Sequence, residues 1–105
     1  MFGLVVRFTL KDGAAADFDR LVETTVTEIH RHEHGTLVYA VHQVEAEPNT
    51  RIFYELYRNR AAFEDHERQD HTRQFLIERE RYLDGPPLVD FLELQRAAGA
   101  VGSLP

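Results

Sequence analysis

Residues 2–10 alternate strictly, with Phe2, Leu4, Val6, Phe8 and Leu10 on one face and Val5, Arg7 and Thr9 on the other, which is the period of a β-strand. Lys11-Asp12-Gly13 reads as a turn, after which the period changes. Phe18, Leu21, Val22, Thr25, Val26 and Ile29 recur at steps of three and four and form one stripe of an amphipathic helix. Gly35 is expected to end that helix in the left-handed conformation. Residues 36–46 are rich in β-branched and aromatic side chains and predict a second strand. Glu47-Pro48-Asn49-Thr50 reads as a hairpin loop, and residues 51–58 as a third strand. Asn59 is placed to cap a helix starting at Arg60, with Ala62, Phe63 and His66 on one side. Asp70 is placed to cap a further helix bearing Phe75, Leu76, Arg79, Tyr82 and Leu83. Asp84-Gly85-Pro86-Pro87 breaks it, and residues 88–94 predict a fourth strand. The order β-α-β-β-α(α)-β predicts a ferredoxin-like α+β fold, a four-stranded antiparallel sheet with helices on one face. Residues 1–95 then form one domain, and residues 96–105 a tail without a clear period.

The strands are apolar on both faces. Leu37, Tyr39 and Val41 are expected on one side of the second strand, and Val38, Ala40 and Val44 on the other. In the third, Ile52, Tyr54 and Leu56 oppose Phe53 and Tyr57. One layer of helices covers one face only, so the other is expected to meet the same face of a second copy, giving a homodimer through the sheet.

A chain of 105 residues with 43% hydrophobic and 29% charged residues has the composition of a globular domain. The net charge of −6, with no basic cluster, argues against nucleic acid as a partner. The absence of Cys removes disulfide and thiolate chemistry. No signal peptide is visible, and no apolar run approaches the roughly 20 residues that span a bilayer. The expected location is the cytoplasm, without a membrane partner.

The candidate chemistry lies mainly in residues 53–75. His66 follows Phe63 by one turn and is expected to lean toward the sheet, and His71 precedes Phe75 by another. Imidazoles titrate near neutrality and suit proton exchange with a phenolic ligand. Tyr39, Tyr54 and Tyr57 supply phenols and flat apolar surface of the kind that lines aromatic sites. Glu55 interrupts an apolar strand and is expected to pair with an arginine, Arg7 being the candidate. His30, His32 and His34 read as solvated residues favoured at a helix C-terminus, with Glu33 pointing away from any site there. Glu78-Arg79-Glu80-Arg81 reads as a solvated helix face. No phosphate loop, nucleophile elbow or metalloprotease pattern is present.

Residues 35–42, GTLVYAVH, resemble the G-C-L-x-Y-x-V motif of antibiotic biosynthesis monooxygenase domains. Phe53, Glu55, Tyr57, Ala61-Ala62, His66, His71 and Phe75 resemble that family's run of aromatic, E-x-W, two small residues, two spaced histidines and Phe. The resemblance spans residues 3–94. Tyr57 stands where the family usually has Trp, and Thr36 where it usually has Cys. The resemblance implies a dimeric α+β barrel with a pocket between sheet and helices. It also implies a cofactor-independent monooxygenase that oxidises a quinol- or anthrone-type aromatic with O₂. In that reading His66 and Tyr57 are catalytic, and Tyr39, Phe63, His71 and Phe75 bind the substrate. The Asn, Trp and haem-ligating His of the haem-degrading branch fall on Val6, His66 and about Leu76, so haem is not expected, and neither is a metal. The alternatives are an isomerase or cyclase acting by proton transfer, and a non-catalytic dimer that binds a small ligand.

Overall fold

The computed structural model describes residues 1–104. The first alternating stretch forms β1 (Phe2–Thr9), and the amphipathic stripe forms α1 (Ala15–His32). The hairpin follows as β2 (Thr36–Gln43) and β3 (Thr50–Tyr57), then α2 (Arg60–Arg68), α3 (Asp70–Glu78) and β4 (Leu88–Glu93). The four strands make one antiparallel sheet in the order β2-β3-β1-β4. This is the ferredoxin-like α+β arrangement. The predicted helix over residues 70–83 divides, because a 3₁₀ turn at Arg79–Tyr82 follows α3. Among the described residues after β4, only a second 3₁₀ turn, Val101–Ser103, is regular. Residue 105 of the predicted tail lies outside the described residues.

Cross-strand register decides which side chains meet the helices. Phe2, Leu4 and Val6 stand opposite Tyr57, Glu55 and Phe53, and on the other side of β3 Tyr39 and Val41 stand opposite Glu55 and Phe53. Directly opposed residues share a face, so these form the inner surface on which α1 lays Phe18, Val22, Thr25 and Ile29. The core is aromatic. Phe8, Phe18 and Phe53 are at most 1% exposed, with ring centroids 4.7 Å apart for Phe8–Phe53 and 5.6 Å for Phe8–Phe18. Burying each such ring contributes about 1.5–3 kcal/mol, and the tilted and edge contacts about 0.5–1.5 kcal/mol more.

The bulge in β2 is essential to this pattern. Thr36 pairs with Tyr57, but Val38 pairs with Leu56, so Leu37 is the extra residue. Without it, Tyr39 would oppose Tyr54 and face away from the helices, since a one-residue slip exchanges the two faces of a strand. The outer face carries Val5, Ala40, Ile52 and Tyr54, all half-buried, and the exposed Leu88 and Leu92. Arg7 lies on this outer face and pairs with Glu47 at 3.3 Å. The expected Arg7–Glu55 pair therefore does not form: the alternation puts the two on opposite sides of the sheet.

Two helix boundaries differ from expectation. Glu33 caps α1 in an extended conformation, its N–H donating to the Ile29 carbonyl at 2.9 Å. Gly35, two residues on, is not left-handed. It is glycine because a Cβ there would lie 2.6 Å from the Ala62 Cβ, so β2 enters directly against α2. Asn59 caps α2 as predicted, accepting from the Ala62 N–H at 2.8 Å. Asp70, by contrast, is the first residue of α3, and the extended Gln69 precedes it. The other fixture is Arg51, 4% exposed, whose guanidinium donates twice to Asp19 at 3.0 Å and so ties β3 to α1.

Candidate active site

Three helix ends converge beside β2 and β3. The extended Gln69 turns the chain sharply between α2 and α3, so His66 on the first and His71 on the second both aim at the end of α1. Glu33 meets them there. Its Oε1 is 2.8 Å from His66 Nδ1 and its Oε2 is 2.5 Å from His71 Nε2. Thr36 also donates to Oε1, at 2.7 Å. The Glu33 side chain is only 4% exposed, which corrects the expectation that it points away. Helical face arithmetic does not apply to Glu33, because the helix has already ended there.

This geometry sets the proton positions. Burial acts to raise the Glu33 pKa, but the hydrogen bonds from His66, Thr36 and His71 outweigh it and hold the carboxyl below its ordinary value. An ionised carboxylate only accepts hydrogen bonds, so Nδ1 of His66 is the donor to Glu33, and Nε2 is the ring nitrogen not engaged by that carboxylate. Nε2 faces inward and stands 3.9 Å from Glu55 Oε1. Burial raises the pKa of Glu55 against the opposing effect of the Tyr57 hydrogen bond. The Tyr57 hydroxyl donates to Glu55 Oε1 at 2.5 Å. Burial and the neighbouring Glu55 carboxyl push the Tyr57 phenol far above its ordinary range, so it stays a neutral donor.

Beneath His66 lies a cavity of about 160 Å³ between sheet and helices. Val6, Phe8 and Phe53 form its floor, and Tyr39, Glu55 and His66 its polar wall. Phe63 and Phe75 close the sides, and Val89 and Phe91 of the exposed β4 stand at its open edge. Tyr39, Phe63, His66 and Phe75, singled out from the sequence, thus share one cavity. Tyr57 and His71 do not reach its wall. Tyr57 is fully buried behind His66, with ring centroids 5.2 Å apart. His71 lies on the far side of Glu33, facing a surface groove and the ring of His32. His30, His32 and His34 are exposed, and among the described residues no group of three or more His, Asp and Glu is arranged to hold a metal ion.

Comparison with known proteins places this geometry in a family. The family model for antibiotic biosynthesis monooxygenases matches residues 1–76. The chain belongs to this family. Among solved structures, a candidate antibiotic biosynthesis monooxygenase of Caulobacter crescentus superposes with a TM-score of 0.86 at 21% identity, over 90% of each chain. Rv0793 of Mycobacterium tuberculosis superposes with a TM-score of 0.85 at 22% identity, covering 93% of this chain and 98% of that one. PA3566 of Pseudomonas aeruginosa does so at 0.79 with 26% identity, covering 90% and 93%. A search of curated proteins finds no match. The family match covers β1 through most of α3, so it includes Glu33, Glu55, His66 and His71. No helix is long and apolar enough to cross a membrane among the described residues.

Proposed function

We propose that this member of the antibiotic biosynthesis monooxygenase family is a cofactor-independent oxygenase of a quinol-type aromatic. The observation that carries the reading is the Glu33–His66 pair, in which Nδ1 meets the carboxylate at 2.8 Å and the imidazole lines a mainly apolar cavity. Nε2 takes the proton of a ring hydroxyl as general base, and the electron-rich phenolate then supplies electrons to O₂. One oxygen atom bonds to a ring carbon, the other leaves as water, and the quinol becomes a hydroxyquinone. A carboxylate behind the imidazole stabilises the imidazolium and fixes its orientation, the logic of a catalytic dyad. Tyr39, Phe63 and Phe75 pack on the ring, Tyr57 holds Glu55 in place, and His71 holds Glu33.

A cavity of about 160 Å³ is close to the roughly 150 Å³ that accommodates benzene in an engineered site. Volume therefore favours one-ring quinols over anthrones, which would project past Val89 and Phe91. The half-buried apolar outer face of the sheet supports assembly as a homodimer through that face.

The test is oxygen uptake with a series of one-ring quinols, comparing wild type with His66→Ala. The expected result is uptake matched to quinone formation, reduced about 10²–10⁴-fold in the variant. Product formation under strict anoxia would overturn the oxygenase in favour of proton-transfer isomerisation. An unchanged rate in His66→Ala would remove His66 from the chemistry.

A further inference from the structure

Arg79 is the permanent cation on the wall of the cavity. The Glu-Arg-Glu-Arg run predicts a solvated residue, but the 3₁₀ turn that begins at Arg79 swings its side chain inward. Its guanidinium carbon lies 5.4 Å from the Phe8 ring centroid and 5.7 Å from that of Phe75. Among the described residues, its buried Nε has no hydrogen-bond partner. The nearest acid, Glu80, reaches only to 3.9 Å and is 67% exposed, beyond hydrogen-bond range and largely screened by solvent. Arg51, the other inward arginine, is by contrast satisfied by Asp19 and two backbone carbonyls.

From this layout we infer that the site takes a one-ring phenol that also carries a carboxylate, the carboxylate pairing with Arg79 and the hydroxyl facing His66. The position of the hydroxyl rests on the function proposed above; the pairing with Arg79 does not. A guanidinium held over two aromatic rings still presents N–H groups at its edge, and their fork matches the two oxygens of a carboxylate. A partly buried cation whose nearest acid, Glu80, is exposed and out of hydrogen-bond range gains from an anionic partner inside the cavity. Two acids also border the cavity. Glu55 is occupied by the Tyr57 hydroxyl, and Glu67 is exposed at the opening. The cavity thus offers a hydrogen-bonding group at His66 and a cation at Arg79, for two different groups of one ligand.

The experiment measures binding of 4-hydroxybenzoate and of its neutral analogue 4-hydroxybenzyl alcohol by isothermal titration calorimetry or ligand-detected NMR. Wild type is expected to prefer the carboxylate by about ten- to a hundredfold, the range of a hydrogen bond to a charged group. Arg79→Met, which keeps the packing on Phe8 and Phe75, should abolish the preference, while Arg79→Lys should restore part of it. Equal affinities in wild type, or binding of neither probe, overturn the inference without any variant being needed. A preference that survives in folded Arg79→Met overturns it as well. If the preference is present but no quinol or hydroxybenzoate consumes oxygen, the anion site stands and the oxygenase falls. If oxygen is consumed without the preference, the reverse holds.

Discussion

Glu33 and His66 stand 2.8 Å apart, carboxylate Oε1 to Nδ1, although the two are 33 residues apart and lie on different helix ends. The same carboxylate reaches His71 through its second oxygen. One acid thus holds two imidazoles, and only His66 opens onto the cavity.

Replacing Glu33 by Gln should disable the base without emptying the site. The Gln amide can donate to Nδ1, which moves the ring proton to Nε2 and blocks proton acceptance. Turnover should fall roughly 10²-fold or more, mostly in kcat, with KM nearly constant. Equal losses in His71→Ala and Glu33→Gln would show that the pair acts through Glu33; a silent His71→Ala would confine the effect to the dyad.

Acid stability should follow the same carboxylate. Glu33 has a lower pKa when folded than its ordinary value of 4.5. It therefore contributes stability that is full above that value and lost as pH falls through the folded pKa. The melting temperature of wild type relative to Glu33→Gln should decline as pH drops below about 4.5. Glu55 has the opposite sign, since burial raises its pKa. Relative to Glu55→Gln, wild type should lose stability as pH rises past the same point, and thermal scans across pH 3–7 check both.

Gly35→Ala should destabilise the fold by about 1–3 kcal/mol, as overpacking does, because the new Cβ would meet that of Ala62 at 2.6 Å. Adding Ala62→Gly should recover part of the loss. Additive effects in urea denaturation would show that the two sites do not touch.

Asp19→Ala leaves the buried Arg51 without its bidentate partner. The unpaired guanidinium should cost about 1–3 kcal/mol, read as a lower denaturation midpoint at constant slope.

The proposed dimer has a direct test at Ile52, on the half-buried outer face. Wild type should sediment at twice the chain mass of 12.2 kDa, and Ile52→Lys should shift the population toward that single mass. A wild-type monomer at micromolar concentration would refute assembly through the sheet.

The order of elements was legible in the chain because strand and helix impose different periods on the same apolar residues. β1 and α1 carry those periods almost without interruption. The Asn59 cap was legible for a related reason, since a cap acts within one turn. Gly35 was identified as special but for the wrong cause: its neighbour Ala62 is distant in sequence and appears only when α2 packs on β2.

The site divides along the same line. Phe63, His66 and Phe75 are legible because they lie on helices whose faces can be counted, and Tyr39 because of its phenol and the family motif; all four line one cavity. Glu33 sits one residue past a helix and Arg79 at the start of a 3₁₀ turn, where no period applies. The bulge at Leu37 likewise leaves no periodic mark, yet it turns Tyr39 inward. By itself, then, the sequence determined the ferredoxin-like order, the aromatic core and the imidazole that faces it, because those follow from local periodicity. Only the tertiary structure decided which carboxylate meets that imidazole and which cation lines the cavity, because hydrogen bonds and charge pairs depend on distances between segments that are remote along the chain.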